Sequence, residues 1–195
     1  MIGAMAPPPP APPRRFVFVD RDGVLNEYRP GDYVNGPEDL AVLPRSMAAL
    51  AALAREGIEV VVVSNQAGVG KGFMTTTDLA EVTARLRESI ESAGGRVIEF
   101  LYCVHRPDEG CDCRKPRPGL LLQAAKKHAF DPQDAWMIGD NKTDIAAGSA
   151  AGARTCLVLS GKTRAKGEAD DWPVRPDLVA ADLAEAVARI YHLVL

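Results

Sequence analysis

Phe16-Val17-Phe18-Val19-Asp20-Arg21-Asp22-Gly23 is the stretch on which the reading of this chain turns. Four apolar residues run straight into two carboxylates spaced two apart, and a glycine follows. A short apolar run bounded by a turn reads as a buried strand, so the acids stand where the strand stops. Ile58–Ser64 (IEVVVVS) repeats the pattern with more β-branched residues and predicts a central strand ending at Ser64-Asn65. Val97–Cys103, Ala135–Gly139 and Arg154–Leu159 read as three further strands. Between them Met47, Leu50, Leu53 and Ala54 recur at helical spacing, as do Leu79, Val82, Leu86 and Ile90. Gly57 is placed to cap the first of these helices, and Gly94-Gly95 stops the second after a Thr75–Thr77 start. Pro118 opens a helix to about His128, Thr143–Ala151 forms a short one, and Leu183, Val187, Ile190 and Val194 line a closing one.

Strand and helix alternate throughout, which predicts an α/β fold: a Rossmann-like, doubly wound, mainly parallel sheet covered on both faces. In such sheets ligands bind beyond the carboxyl ends of the strands. The 195 residues suit one domain, and 47% hydrophobic with 25% charged residues is an ordinary globular balance. Six of the fifteen prolines fall within Pro7–Pro13. Residues 1–15 therefore read as a PPII-like or disordered tail rather than a docking peptide, and residues 16–195 as the single domain. Lys and Arg number 23 against 26 Asp and Glu, a net charge of −3. That balance argues against nucleic acid or an anionic membrane as partner. No apolar run approaches the roughly 18 residues that span a bilayer, and Met1–Ala6 is too short for a secretory core. A cytoplasmic protein is expected. A monomer is expected too, because no apolar stripe is left over once the core is built.

The strand ends carry the chemistry. Asp20 and Asp22 follow the first strand, Ser64-Asn65 the second, and Asp140 with Asp144 the fourth. Any one of these acids could be a solvated turn, but three loops converging on one rim need a cation to neutralise them. Hard carboxylate oxygens suit Mg²⁺. A carboxylate there can attack phosphorus, and a second can protonate the leaving oxygen and later activate water. Ser64 and Asn65 can donate to a phosphate, Lys115 supplies a cation, and Arg114 offers a bidentate grip. A P-loop reading of Gly70-Lys71 fails, because Asn65 stands where its first glycine is needed and Gly72 follows the lysine.

Cys103-x-His105 and Cys111-x-Cys113 flank a five-residue spacer. Three thiols and one imidazole complete a tetrahedral Cys₃His set, the closed form of a structural zinc site. A disulfide is the competing reading; the tight clustering, the histidine and reduced cytoplasmic thiols favour zinc. The cluster leads directly into Arg114 and Lys115, so the metal is expected to position these cations. Cys156 reads as a core residue. Lys162, Arg164 and Lys166 read as a solvated basic loop.

Asp20-Arg21-Asp22-Gly23-Val24-Leu25, Ser64-Asn65-Gln66, Lys115 and Gly139-Asp140-x-x-x-Asp144 occur in the order of the four motifs of the haloacid dehalogenase-like (HAD) phosphohydrolases, which the chain resembles over roughly residues 16–161. The resemblance implies Asp20 as nucleophile, Asp22 as general acid/base, Ser64 as phosphate ligand and Lys115 as the charge neutraliser. It implies Mg²⁺ held by Asp20, the backbone carbonyl of Asp22, and Asp140. The zinc loop with Arg114-Lys115-Pro116-Arg117-Pro118-Gly119, the segment Ser64–Gly72 and Asp32-Tyr33-Val34 are similar to the D-glycero-D-manno-heptose 1,7-bisphosphate phosphatases and, closely behind, the histidinol-phosphate phosphatases. Asn141 follows Asp140 where many members carry Lys, so a substrate contact is expected to be altered there. The implied substrate is a small sugar bisphosphate losing its C7 phosphate, with histidinol phosphate as the alternative. No large cap domain fits in the chain. Substrate selection then falls to the short loops Asn26–Pro37, Gln66–Phe73 and the zinc loop. A non-enzymatic zinc-stabilised interaction module is the reading from a different class, and an intact function in Asp20→Asn would favour it.

Overall fold

The computed structural model describes residues 15–193. The proline-rich segment before Arg15, and Val194, expected from sequence on the closing helix, lie outside the described residues. Six strands form one all-parallel sheet in the order β3-β2-β1-β4-β5-β6. They are β1 (Arg15–Val19), β2 (Ile58–Asn65), β3 (Glu99–Cys103), β4 (Trp136–Gly139), β5 (Arg154–Val158) and β6 (Leu178–Ala180). The helices are α1 (Pro44–Arg55), α2 (Ala67–Gly70), α3 (Thr76–Ser92), α4 (Gly119–His128), α5 (Lys142–Ala151) and α6 (Leu183–Tyr191). The doubly wound parallel α/β expectation holds. Arg15, assigned to the tail from sequence, instead heads β1 opposite Ile58.

Period-two alternation sends Val17 and Val19 to one face of β1 and Phe16 and Phe18 to the other. The first face packs with Val60 and Val62 against Leu50 and Leu53 of α1, Leu86 and Ile90 of α3, and Val187 of α6. The second packs with Val61 and Val63 against Leu120, Leu121 and Ala124 of α4 and Ala147 of α5. Cys156 lies in the first of these cores, as read from sequence. Burial on both faces explains the near-continuous apolar strands.

Two elements escaped the sequence reading. Strand β6 has only three residues, too few for periodicity to register. One helical turn, α2, forms inside the glycine-rich segment after β2. The start of α3, by contrast, is set locally: Thr75 accepts from Asp78 N at 3.1 Å and Asp78 Oδ2 accepts from Thr75 N at 2.7 Å, a reciprocal cap. No helix among the described residues is long and apolar enough to cross a membrane.

The chain reverses its direction of travel across the sheet at β1, with β2 on one side and β4 on the other. That switch point opens a crevice between the carboxyl ends of β1 and β4, where the acids at 20 and 140 fall.

Candidate active site

Asp20 leaves β1 with its backbone N donating to Ile138 O of β4 at 2.9 Å, so the two strand ends are tied together. Asp140 leaves β4 one residue after Gly139. Asp144 comes from the first turn of α5, where its Oδ2 accepts from Asn141 N at 3.0 Å. Carboxylate oxygens of Asp20, Asp140 and Asp144 all lie within 4.8 Å of one another, and all three residues are buried.

Lys115 enters this cluster from the far side of the zinc loop. Its Nζ lies 2.9 Å from Asp20 Oδ1 and 2.6 Å from Asp144 Oδ1, and donates to Val63 O at 2.7 Å. The ammonium is thereby engaged on three sides. Burial alone would favour the neutral amine; the Asp144 and Asp20 carboxylates overcome it and hold the lysine protonated above its ordinary value. Three buried carboxylates, all ionised, would leave two negative charges against that one ammonium. The strain shows in the acids: burial, aided by repulsion from Asp144 and Asp20, pushes Asp140 up to about 8. Burial also pushes Asp144 up to about 6, against the pull of Lys115. Hard oxygen donors whose full ionisation needs positive charge beyond that of Lys115 fit a divalent cation of the Mg²⁺ type.

Asp144 adds its carboxylate to this cluster, whereas the Asp22 carboxylate lies outside it. Asp22 is turned toward three donors: Arg21 (Nη2 to Oδ1 2.8 Å, Nη2 to Oδ2 3.0 Å), Asn26 (Nδ2 to Oδ1 3.0 Å) and Gln66 (Nε2 to Oδ2 2.8 Å). Burial opposes its ionisation, but the Arg21 guanidinium and these hydrogen bonds hold the carboxyl below its usual range. Arg21 is itself buried, a role not visible in the motif because an arginine in a polar loop ordinarily reads as exposed.

Ser64 and Asn65 close β2 at the same rim. Ser64 Oγ accepts from Gln66 Nε2 at 3.1 Å, which leaves its own proton to point elsewhere. The Asn65 side chain, expected from sequence as a phosphate donor, lines the cleft and is engaged with the main chain of Lys115. Its Nδ2 donates to Lys115 O at 3.0 Å and its Oδ1 accepts from Lys115 N at 3.1 Å. Gln66, buried and bridging Asp22 to Ser64, was passed over in the sequence; only its adjacency to Ser64-Asn65 could have drawn attention to it.

Glycine at two positions permits this packing. A Cβ on Gly23, whose φ is +81°, or on Gly161 would collide with the Asp140 carboxylate. The loop after β5 is drawn in just as closely: Lys162 N donates to Asp140 Oδ2 at 2.5 Å, Thr163 N to Asp140 O at 3.1 Å, and Ser160 Oγ to Gly23 O at 2.7 Å. Lys162, in the loop read as basic and solvated, has an exposed side chain and lines the cleft. The rule that ligands bind beyond strand ends applies to β5 as well and would have found it.

The cleft above these groups is about 550 Å³ and is walled by Tyr28, Tyr33, Lys71, Phe73 and Arg114 as well as the acids. Those residues come from the three short loops expected to select substrate. Tyr33 and Phe73 stack with centroids 5.5 Å apart, and Lys71 Nζ donates to Tyr33 Oη at 3.1 Å. Asn141 and Thr143 line the same cleft from the start of α5.

Beside the cleft, ligand atoms of Cys103, His105, Cys111 and Cys113 lie within 4.8 Å of one another. Cys103 and Cys111 sulfurs are 3.6 Å apart and Cys111 and Cys113 sulfurs 3.4 Å, and no disulfide joins them. Zn–S bonds of about 2.3 Å in a tetrahedron put sulfurs about 3.8 Å apart, so the donor set and its spacing fit zinc. The cluster is also tied to the rim, since Gln66 N donates to Cys103 O at 2.7 Å and Gly70 N to Val104 O at 3.0 Å.

Comparison with known proteins points the same way. A family model described as HAD-hydrolase-like matches residues 112–186. The D-glycero-beta-D-manno-heptose-1,7-bisphosphate 7-phosphatase of Pseudomonas putida is 38% identical over 169 residues, covering 85% of this chain and 96% of that protein. The protein of the same name from Pseudomonas aeruginosa is 38% identical over 149 residues, 76% of this chain and 83% of that protein. Among solved structures, the D,D-heptose 1,7-bisphosphate phosphatase from B. bronchiseptica, complexed with magnesium and phosphate, superposes with a TM-score of 0.86 at 30% identity, covering 91% of this chain and 98% of that one. A buried acid cluster at the β1/β4 switch point, a zinc-type loop beside it and this likeness over most of both chains have one common account: the chain belongs to the heptose-bisphosphate phosphatase family of HAD-like hydrolases.

Proposed function

We propose that this protein is a Mg²⁺-dependent phosphomonoesterase that removes the C7 phosphate of a D-glycero-D-manno-heptose 1,7-bisphosphate through an aspartyl-phosphate on Asp20. The observation that carries the reading is the buried cluster of Asp20, Asp140 and Asp144 around Lys115. Mg²⁺, when bound by Asp20, Asp140 and the backbone carbonyl of Asp22, would supply positive charge against the phosphoryl oxygens. Asp144, engaged with Lys115 and the α5 terminus, orients the lysine.

An Asp20 carboxylate oxygen attacks phosphorus as the bond to the sugar oxygen breaks. Asp22, once protonated, gives its proton to that leaving oxygen. In the second half Asp22 takes a proton from water as the water oxygen attacks the aspartyl-phosphate, releasing inorganic phosphate and the Asp20 carboxylate. Ser64, whose oxygen already accepts from Gln66, donates its proton to a phosphoryl oxygen, and Lys115 balances the charge that develops there. Arg114 and Asn141 contact the rest of the substrate from the cleft wall, and Asn65 contributes by fixing Lys115. The Cys103, His105, Cys111 and Cys113 set would hold a structural zinc that braces the segment carrying Arg114 and Lys115.

A phosphate-release screen over phosphosugars and histidinol phosphate, with Asp20→Asn as the blank, tests the reading. Highest kcat/KM is expected on heptose 1,7-bisphosphate, with turnover lost in the blank and in EDTA. A large preference for histidinol phosphate would overturn the substrate assignment, and full activity of Asp20→Asn would overturn the mechanism.

A further inference from the structure

We infer that Lys162 is a specificity residue that receives the second, unreacted phosphate of a bisphosphate substrate; this rests on the phosphatase reading above. Such a substrate brings two anionic groups into one cleft, and only one of them goes to Asp20. The other must be held among residues that include Asp20, Asp22, Asp32, Asp140 and Asp144, whose field repels it.

The cations of the cleft differ in what they have left to give. Lys115 is already ion-paired with Asp20 and Asp144 and bonded to Val63 O. Arg29 is bound by Asp32 at 2.8 Å and Asp39 at 2.6 Å. Lys71 is drawn onto Tyr33, donating to its hydroxyl and lying 5.8 Å from its ring centroid. Among the described residues, Lys71, Arg114 and Lys162 line the cleft with no carboxylate in ion-pair contact, and of the three Lys71 is engaged by the Tyr33 hydroxyl. Arg114 adjoins Lys115 and is already placed as a substrate residue. The wall built by Asp140, Asn141 and Thr143 has acid and neutral side chains, and Lys162 is the cation beside it.

The root of Lys162 is built in. Its N–H is bonded to Asp140 Oδ2, and it sits between Gly161 and Thr163, both buried, while its own side chain is exposed. The backbone is therefore fixed at the acid rim while the ammonium is free to meet an anion. A flexible ammonium as a point charge suits a phosphate whose position needs no bidentate geometry.

The test compares heptose 1,7-bisphosphate with the heptose 7-phosphate that lacks the second group, at low and high salt. Lys162→Ala keeps the backbone contact to Asp140. It is expected to lower the ratio of kcat/KM for the bisphosphate over the 7-phosphate roughly tenfold, through KM, with a smaller loss at high salt. Lys162→Arg is expected to restore most of that ratio. An unchanged ratio in Lys162→Ala, an equal loss on both substrates, or no recovery with arginine would overturn the assignment while leaving the phosphatase reading standing. A wild-type protein that turns over neither sugar phosphate would overturn that reading and this inference with it.

Discussion

The side-chain amide of Asn65 holds the main chain of Lys115 from both sides, accepting from its N and donating to its O at 3.1 and 3.0 Å. Residues fifty apart in sequence are thus joined at the end of β2, and the ammonium reaches Asp20 and Asp144 from a fixed root. Asn65→Ala removes both bonds and leaves a partly buried N–H and C=O unpaired. A stability loss of about 2 kcal/mol in urea unfolding is expected, together with a fall in kcat of about tenfold or more. An undiminished kcat would show that Lys115 needs no such anchor.

Removing the ammonium itself should be more severe. Lys115→Met leaves the buried Asp20 and Asp144 carboxylates facing each other without a cation, a defect of about 3–5 kcal/mol in comparable buried pairs. Turnover should drop by about 10²–10³ at saturating substrate. Normal melting with lost turnover would separate the catalytic part of this expectation from the structural part.

The cysteine–histidine loop yields a prediction about metal content. Elemental analysis of the purified protein should find one zinc per chain, and Cys111→Ser or a zinc chelator should lower both Tm and turnover. Magnesium withdrawal, by contrast, should stop turnover and leave the fold. Equal Tm and activity in a zinc-free preparation would remove the bracing role.

A pH prediction comes from the edge of the sheet. Glu99 in β3 accepts from Lys127 Nζ at 2.5 Å and contacts His128 Nε2 at 2.7 Å. Burial works against its charge, but those two partners prevail and hold the carboxyl below its usual value. A depressed carboxylate adds stability that is present above the unfolded value of about 4.3 and is lost as pH falls through the folded one. Glu99→Gln should therefore cost about 1 kcal/mol at pH 7, and the gap from wild type should close toward pH 3. A gap that stays constant across that range would rule out the linkage.

Replacing Gly161 by alanine tests how tightly the rim is packed. The added Cβ meets the Asp140 carboxylate, so the loop or the acid must move. The apparent Mg²⁺ requirement for turnover should rise by roughly tenfold. An unchanged Mg²⁺ titration would mean that the loop yields without disturbing Asp140.

Five of the six strands, most helices and the four motif positions were legible in the sequence, because their signals are local. Apolar runs such as Val60–Val63, the Thr75–Asp78 cap and acids at strand ends need only neighbours to be read. The pairing of Cys103-x-His105 with Cys111-x-Cys113 is of the same kind, since four ligands within eleven residues constrain one another. Strand β6 lacked the length to show a period, and α2 was hidden in glycines that usually signal loop.

What the order of residues determined by itself is the alternation that makes a parallel sheet, and the placing of Asp20, Ser64 and Asp140 at one rim of it. Tertiary structure alone decided which side chains meet there: Asp144 joins the acids while Asp22 turns to Arg21 and Gln66, Asn65 is spent on Lys115, and Lys162 comes back to the cleft from beyond β5. The physical reason is reach. A backbone pattern sets where a residue emerges, but hydrogen bonds and charge balance among groups far apart in the chain set where its side chain comes to rest.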